Sequence, residues 1–112
     1  MTIFKSIIDR EIPADVVYED DDVLAFKDIN PVAPVHILII PKREITGAAA
    51  VQPDQSELLG KLIVTAAKVA KDVGVADSGY RLVVNQGDDG GQTVNHLHVH
   101  LIGGRALGWP PG

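Results

Sequence analysis

The sequence predicts an α+β fold in which a five-stranded antiparallel sheet carries one long and one short helix. Short runs of β-branched residues are separated by turn residues, one segment over residues 54–73 has the helical period, and 46% of the 112 residues are apolar. That apolar fraction is sufficient for the core of one domain over residues 1–112 and too high for a disordered chain.

Composition and charge exclude several classes of protein. The chain contains no cysteine, which excludes disulfides, thiolate catalysis and the commonest structural zinc sites. Ten basic against fifteen acidic residues give a net charge of −5, the opposite balance to that of a nucleic-acid-binding protein. The longest apolar run, residues 37–40, is too short to span a membrane, and the N-terminus has no signal-peptide core. We therefore expect a soluble, cytoplasmic protein that binds neither nucleic acid nor membrane.

The first part of the chain predicts a short helix and a hairpin. Residues 4–10 have amphipathic helical spacing, and Pro13 ends the helix. Residues 16–19 and 23–28 are typical of two strands, and the acidic residues 20–22 between them are typical of a solvated turn.

The middle of the chain predicts a third strand and the long helix. Residues 35–40 are rich in β-branched side chains, so alternation places His36, Leu38 and Ile40 on one face. The segment 54–73 has an apolar stripe at helical spacing. Asp54 and Glu57 resemble a capping box, and Gly74 is placed to terminate the helix.

The last third of the chain predicts two more strands, over residues 81–85 and 96–102, with a glycine-rich loop at residues 87–91 between them. The second strand contains the most informative feature of the sequence. His96, His98 and His100 alternate with apolar residues, so a strand would present all three imidazoles on one face.

Four interpretations of this histidine row compete: the polar face of a half-buried strand, a metal site, phosphate chemistry, and an interaction surface without chemistry. Alternate strand residues lie roughly 6–7 Å apart and the outer two about 13 Å apart. All the nitrogens of a zinc site lie about 2.0–2.1 Å from the ion, so the outer pair cannot share one. Two neighbouring histidines with His36 or Asp28 could bind a metal, so the spacing permits a metal site without requiring one.

Phosphate chemistry accounts for more of the sequence. Near neutral pH an imidazole can act as a nucleophile, an acid or a hydrogen-bond donor. The loop at residues 90–93 precedes the row and could hold a phosphate with backbone N–H groups and a hydroxyl. This coincidence favours phosphate chemistry over the metal site and over the non-catalytic surface.

Residues 90–104 also resemble the signature of the histidine triad (HIT) superfamily, in which three histidines alternate with apolar residues. Shorter matches extend the resemblance to nearly the whole chain, among them residues 25–29 (AFKDI), 85–87 (NQG) and 109–112 (WPPG). These segments are similar to the Hint branch, the histidine triad nucleotide-binding proteins.

The resemblance implies a HIT-like fold in which the sheet continues across a homodimer, and a purine nucleotide site in each protomer. It implies hydrolysis of the P–N bond of nucleoside 5′-phosphoramidates and of related aminoacyl adenylates, which releases AMP or GMP without a metal or other cofactor. The alternative is a nucleotide-binding scaffold with little turnover. A zinc-binding protein is the weakest alternative.

The resemblance also assigns roles to individual residues. His98 corresponds to the nucleophile, which forms a nucleotidyl-histidine intermediate, and His100 to a phosphate ligand. His96 and His36 correspond to residues that orient the nucleophile and assist proton transfer. Trp109 corresponds to a tail residue that reaches the partner subunit's site.

Two further groups of positions bind the nucleotide in the family. Besides His98 and His100, the positions that contact ribose and phosphate are Asp28, Ile29, Asn85, Gly91, Gln92, Thr93 and Val99. The apolar positions around the base are Ile3, Phe4, Ile7, Ile12 and Phe26. Two residues depart from the family pattern: Thr93 replaces the usual serine, and Lys27 replaces a common histidine near the base and ribose.

Overall fold

Five strands form one antiparallel sheet in the order β1-β2-β3-β5-β4, in a computed structural model that describes residues 2–112. The strands are β1 (Val16–Glu19), β2 (Val23–Lys27), β3 (Val35–Pro41), β4 (Tyr80–Val83) and β5 (Val99–Gly103). The helices are α1 (Ile3–Ile8) and α2 (Ser56–Asp72), and short 3-10 turns span Ala48–Ala50 and Pro53–Gln55. The predicted fold class is confirmed. None of the described helices is long and apolar enough to cross a membrane.

The early elements agree with the prediction except at their ends. Helix α1 begins one residue earlier than predicted because the Thr2 side chain caps its first turn, accepting from the Lys5 N–H, and it ends two residues earlier, before Arg10 turns left-handed at φ 60°. Strand β2 ends at Lys27 rather than Asp28. The Asp28 N–H still donates to the carbonyl of His36 at 2.9 Å, so Asp28 remains next to β3.

The predicted capping box of the long helix is wrong. Helix α2 begins at Ser56, after the 3-10 turn Pro53–Gln55, and the capping interaction joins Gln52 to Gln55, whose side-chain oxygen accepts from the Gln52 N–H at 2.8 Å. The proline at the first position of the 3-10 turn favours the start of that turn at Pro53. The predicted termination at Gly74 is confirmed, since that residue has φ +83°.

The last two strands differ from the prediction in a way that bears on the site. Strand β4 begins and ends earlier than predicted, at Tyr80 and Val83. Strand β5 begins only at Val99, so His96 and His98 precede it. The reason is a tertiary contact: the Leu97 N–H donates to the Ile45 carbonyl at 2.6 Å instead of to a neighbouring strand.

The sheet buries both of its faces. One face packs against α2, and its core includes Ile37, Ile39, Leu97, Val99 and Leu101. The other face packs against α1, and its smaller core consists of Phe4, Leu24, Phe26, Leu38 and Ile40. The predicted alternation along β3 is therefore confirmed, and the α1 face is the one that presents His36.

Candidate active site

Three imidazoles and one phenyl ring form a continuous cluster on the α1 face of the sheet. The ring of His100 lies 5.2 Å from that of His36 and 4.9 Å from that of His98, measured between centroids. Phe4 of α1 meets His98 edge-on at 5.0 Å. The antiparallel register of β3 and β5 brings His36 and His100 together although they are 64 residues apart in the chain.

A backbone carbonyl determines the tautomer of His98. Its Nδ1 lies 2.6 Å from the carbonyl oxygen of His96, and the ring is buried, with 5% exposed. Because a carbonyl oxygen only accepts, Nδ1 must carry the proton, and in the neutral ring Nε2 then has a free lone pair. His98 thus offers a nucleophilic nitrogen.

A chain of two hydrogen bonds gives His100 the opposite character. The Val32 N–H donates to Nδ1 of His36 at 3.2 Å, so a neutral His36 carries its proton on Nε2. That nitrogen lies 2.9 Å from Nδ1 of His100 and donates to it. A neutral His100 therefore carries its own proton on Nε2 and acts there as a hydrogen-bond donor.

Burial keeps the rings of His36 and His100 neutral. It lowers the pKa of His100 to about 4, with a further contribution from the neighbouring His98 and His36. Burial also lowers the pKa of His36, against the opposing effect of the Asp28 carboxylate, whose Oδ2 lies 3.5 Å from Nε2 of His36. Near neutral pH His36 and His100 are therefore neutral, and His100 offers its N–H beside Nε2 of His98.

His96 serves a different purpose from the other histidines. Its ring is 1% exposed, and its Nε2 donates to the carbonyl oxygen of Pro41 at 2.8 Å. The expectation of a strand is wrong for His96 and His98, which precede β5. The expected shared face is nevertheless present: Phe4 of α1 contacts the rings of His96 and His98 edge-on, and the intervening Leu97 and Val99 lie in the core under α2. The side chain of His96 instead fixes the segment whose carbonyl orients His98.

A cavity of about 510 Å³ opens beside the histidines and is apolar on its far side. All five residues predicted for the base pocket line it, namely Ile3, Phe4, Ile7, Ile12 and Phe26. The predicted site residues Asp28, Ile29, His36, Thr93, His98 and His100 line it as well. The fold thus places an apolar pocket directly next to the imidazoles.

The glycine-rich loop is less open than the sequence suggests. The N–H groups of Gly91 and Gln92 donate within the loop, to the carbonyls of Asp88 and Gly87. The side-chain amide of Gln92 is also occupied: it donates to the Thr46 carbonyl at 2.8 Å and accepts from the Gly87 N–H at 3.0 Å. Gln92 therefore shapes the loop, and Thr93 is the loop residue that lines the cavity.

Three other predicted residues lie outside this cavity. Asn85 donates to the Gly90 carbonyl at 2.6 Å and lines a second cavity next to His100. Val99 is fully buried in the core under α2, so only its backbone is near the site. Trp109 is 83% exposed in the tail.

Sequence reasoning missed Val32, whose backbone N–H donates to His36 and so sets the tautomers of His36 and His100. Because this residue acts without its side chain, no residue-type signal could have found it. Arg81 and Arg105 were also missed, although both line the second cavity. Alternation along β4 was the available signal, because it places Arg81 and Val83 on the same face of the sheet as His100.

One group of side chains could hold a metal ion. Donor atoms of Asp28, His36 and His100 all lie within 4.8 Å of one another. A zinc ion there would replace the hydrogen bond between the two rings and would need a fourth ligand from water or substrate. This group differs from the predicted pair of neighbouring histidines, because it contains only His100 of the histidine row, together with His36 of β3 and Asp28.

The fold is that of the HIT domain family. The family model for the HIT domain matches residues 9–107, and the chain belongs to this family. It is 57% identical over 113 residues to a "14 kDa zinc-binding protein" of Zea mays, with 99% of this chain and 88% of the maize protein covered.

Solved structures agree with this assignment. A HIT family hydrolase from Legionella pneumophila superposes with a TM-score of 0.98 at 50% identity, with both chains fully covered. A histidine triad nucleotide-binding protein from Candida albicans superposes with a TM-score of 0.82 at 31% identity, covering 98% of this chain and 83% of that protein.

Proposed function

We propose that this protein hydrolyses the P–N bond of purine nucleoside 5′-phosphoramidates and releases the nucleoside monophosphate. The observation that carries the proposal is the pair of opposite tautomers, a lone pair on His98 beside an N–H on His100, next to an apolar cavity. The similarity to a HIT family hydrolase and to a histidine triad nucleotide-binding protein supports the same reaction class.

The binding mode follows from the lining of the cavity. The purine base lies among Phe4, Ile7 and Phe26, where flat apolar surface is available. The Asp28 carboxylate accepts hydrogen bonds from the ribose hydroxyls, because Asp28 lines the cavity and the Asn30 N–H, which donates to its Oδ1 at 2.8 Å, holds the carboxylate in place. The phosphate then lies at the boundary between the apolar half and the imidazoles.

In the first chemical step, Nε2 of His98 attacks phosphorus and the P–N bond to the amine breaks. The bonding electron pair goes to the amine nitrogen, which leaves as the amine with a proton taken up from solvent. His100 donates its Nε2–H to a phosphate oxygen, and the Thr93 hydroxyl can donate to another. Both donors stabilise the charge that the phosphate oxygens carry in the transition state.

In the second step, water attacks phosphorus on the nucleotidyl-histidine and releases a proton to solvent. The bond between phosphorus and Nε2 breaks, and the lone pair returns to His98. The hydrogen bond from Nδ1 of His98 to the carbonyl of His96 stays in place through both steps and stabilises the positive charge that the ring carries in the intermediate.

A fluorogenic adenosine 5′-phosphoramidate of an indole amine tests the proposal, assayed with wild type and His98→Asn, with and without a chelator. We expect chelator-resistant turnover that disappears in the variant. A protein that binds AMP but turns over no phosphoramidate would be a nucleotide-binding scaffold, which rejects the proposal. Turnover retained in His98→Asn would place the nucleophile elsewhere.

The proposed enzyme is a homodimer. Strand β4 is an edge of the sheet, and unpaired edges are normally covered. Exposed apolar side chains lie just after β4 and on α2, with Val84 42% and Val64 70% exposed. We place the partner there, with Trp109 reaching its site. Light scattering on wild type and Val64→Asp tests this, and a wild-type monomer would refute it.

Zinc binding at Asp28, His36 and His100 is a second candidate function. It is favoured by the convergence of the three donors and by the name of the maize relative. Equilibrium dialysis against zinc with wild type and His36→Gln tests it. The candidate predicts one equivalent of bound zinc that the variant loses, and it fails if both proteins bind none.

A further inference from the structure

A second cavity adjoins the proposed catalytic site on the side away from the base pocket. It has a volume of about 380 Å³ and shares Val32, His36 and His100 with the first cavity. Its remaining walls come from β4, from Ile102 of β5, from the loop after β4 and from the C-terminal segment, and they include Arg81, Asn85, Arg105 and Leu107. Two cavities thus meet at the imidazoles, one on the β2 side of the sheet and one on the β4 side.

The second cavity is cationic in a chain of net charge −5. It has two guanidinium groups, and no acidic side chain lines it in the part of the chain that the structure describes. The carboxylate of Asp28 lies behind His36 and lines the first cavity. An anion in the second cavity would therefore meet positive charge without a competing carboxylate in its walls.

Both arginines are held in place and retain donors for a ligand. Arg81 donates through one nitrogen to the Gly108 carbonyl at 2.7 Å, and a guanidinium has five N–H groups. Arg105 donates to the carbonyls of Val32 and Ala106. Such anchored guanidinium groups lose little side-chain entropy on binding a carboxylate.

The geometry of the displacement directs the leaving group to this cavity. In an in-line reaction the nucleophile and the leaving group lie on opposite sides of phosphorus. His98 lines the first cavity and does not line the second. Val83 pairs with His100, and Arg81 lies two residues along β4, so the Cα atoms of Arg81 and His100 are about 8 Å apart. An arginine side chain can span that distance, so Arg81 can contact a group attached to the leaving nitrogen.

We infer that the second cavity binds the leaving amine, and that it selects amines which carry a carboxylate, such as an amino acid joined to phosphorus through its α-nitrogen. Arg81 is the main specificity-determining residue and Arg105 assists it. The inference rests on the proposed hydrolysis. When the P–N bond breaks, the electron pair goes to the nitrogen, which takes a proton from solvent, and the carboxylate stays ionised on the arginines.

Two substrates that differ only in this charge test the inference: adenosine 5′-phosphoramidates of glycine and of glycinamide, both joined through the α-nitrogen. We expect wild type to prefer the glycine compound in kcat/KM by about 10-fold, the range of one charge-assisted hydrogen bond at a partly exposed site. Arg81→Gln should remove most of this preference and change turnover of the glycinamide compound less than about 2-fold. Arg81→Lys should restore part of it.

Arg43→Gln is the matched control, because Arg43 is exposed and lines neither cavity. It should leave both substrates unchanged. Equal kcat/KM for the two substrates in wild type, or an equal loss for both in Arg81→Gln, overturns the inference. If wild type cleaves neither, the affinities of the intact compounds decide. Tighter binding of the glycine compound that is lost in Arg81→Gln would support the anion site and reject the proposed hydrolysis. Equal affinities for the two compounds would reject the anion site.

Discussion

Replacing His96 by alanine should destabilise the protein far more than it slows the reaction. The ring is 1% exposed and donates to the Pro41 carbonyl across 55 residues of chain. Its removal leaves that buried carbonyl unpaired, which costs about 1–3 kcal/mol. The space left beside Phe4, whose ring centroid is 6.1 Å away, adds about 1–2 kcal/mol. Together these terms give a loss of roughly 3 kcal/mol in the free energy of unfolding.

For a chain of this length, that loss lowers the melting temperature by about 12 °C. Thermal unfolding followed by far-ultraviolet circular dichroism measures it, at one fixed protein concentration, because the stability of a dimer depends on concentration. Asn95→Ala is the matched control: its side chain is exposed next to His96, and it should change stability by less than about 0.5 kcal/mol. His96→Gln should recover part of the loss, since its amide can still donate to Pro41.

Turnover well below the melting temperature distinguishes support of the fold from chemistry. We expect His96→Ala to keep turnover within about 10-fold of wild type, because the backbone carbonyl that orients His98 remains. A variant that melts like wild type but has lost turnover would refute this reasoning, and the His96 ring would then act in the reaction itself.

Three further predictions follow from the site. His98→Asn should lose at least about 1,000-fold in turnover and bind AMP within a few-fold of wild type by calorimetry, and strong loss of AMP binding would show that His98 mainly binds the nucleotide. The free energy of unfolding should fall as the pH drops from about 6.5 toward 4. The buried rings of His36, His96 and His100 have lowered pKa values, so the unfolded chain takes up protons first. A free energy of unfolding that stays constant over this range in urea titrations would contradict the prediction. Deleting residues 109–112 should change the preference among leaving amines more than AMP affinity, and if neither changes, the tail serves only the dimer.

The sequence determined the identity of the elements because each depends on a local pattern. Alternation gave β3 and placed His36 with Leu38, and the helical period gave α2 together with its end at Gly74. The five residues expected around the base all line one cavity, which the resemblance to the HIT superfamily had indicated. The position of the histidine row in the chain was also evident without any structure.

Local patterns failed where a distant group competes for the same atoms. The alternation of His96, His98 and His100 predicts one strand, but the Ile45 carbonyl takes the Leu97 N–H and delays β5 to Val99. The glycines before the row predict a phosphate cradle. In the structure the side chain of Gln92 holds this loop in place, because its amide donates to the Thr46 carbonyl, 46 residues away in the chain.

The sequence by itself therefore determined the fold class and the histidine row, since these follow from periodicity and residue type, whereas the apolar residues that line the cavity were indicated only by the resemblance to the HIT superfamily. Only the tertiary structure decided which imidazole nitrogen carries a proton. That assignment depends on single hydrogen bonds, from His98 to its own segment and from Val32 through His36 to His100. Such bonds form between atoms that the folded sheet brings together, and nothing in the order of residues records them.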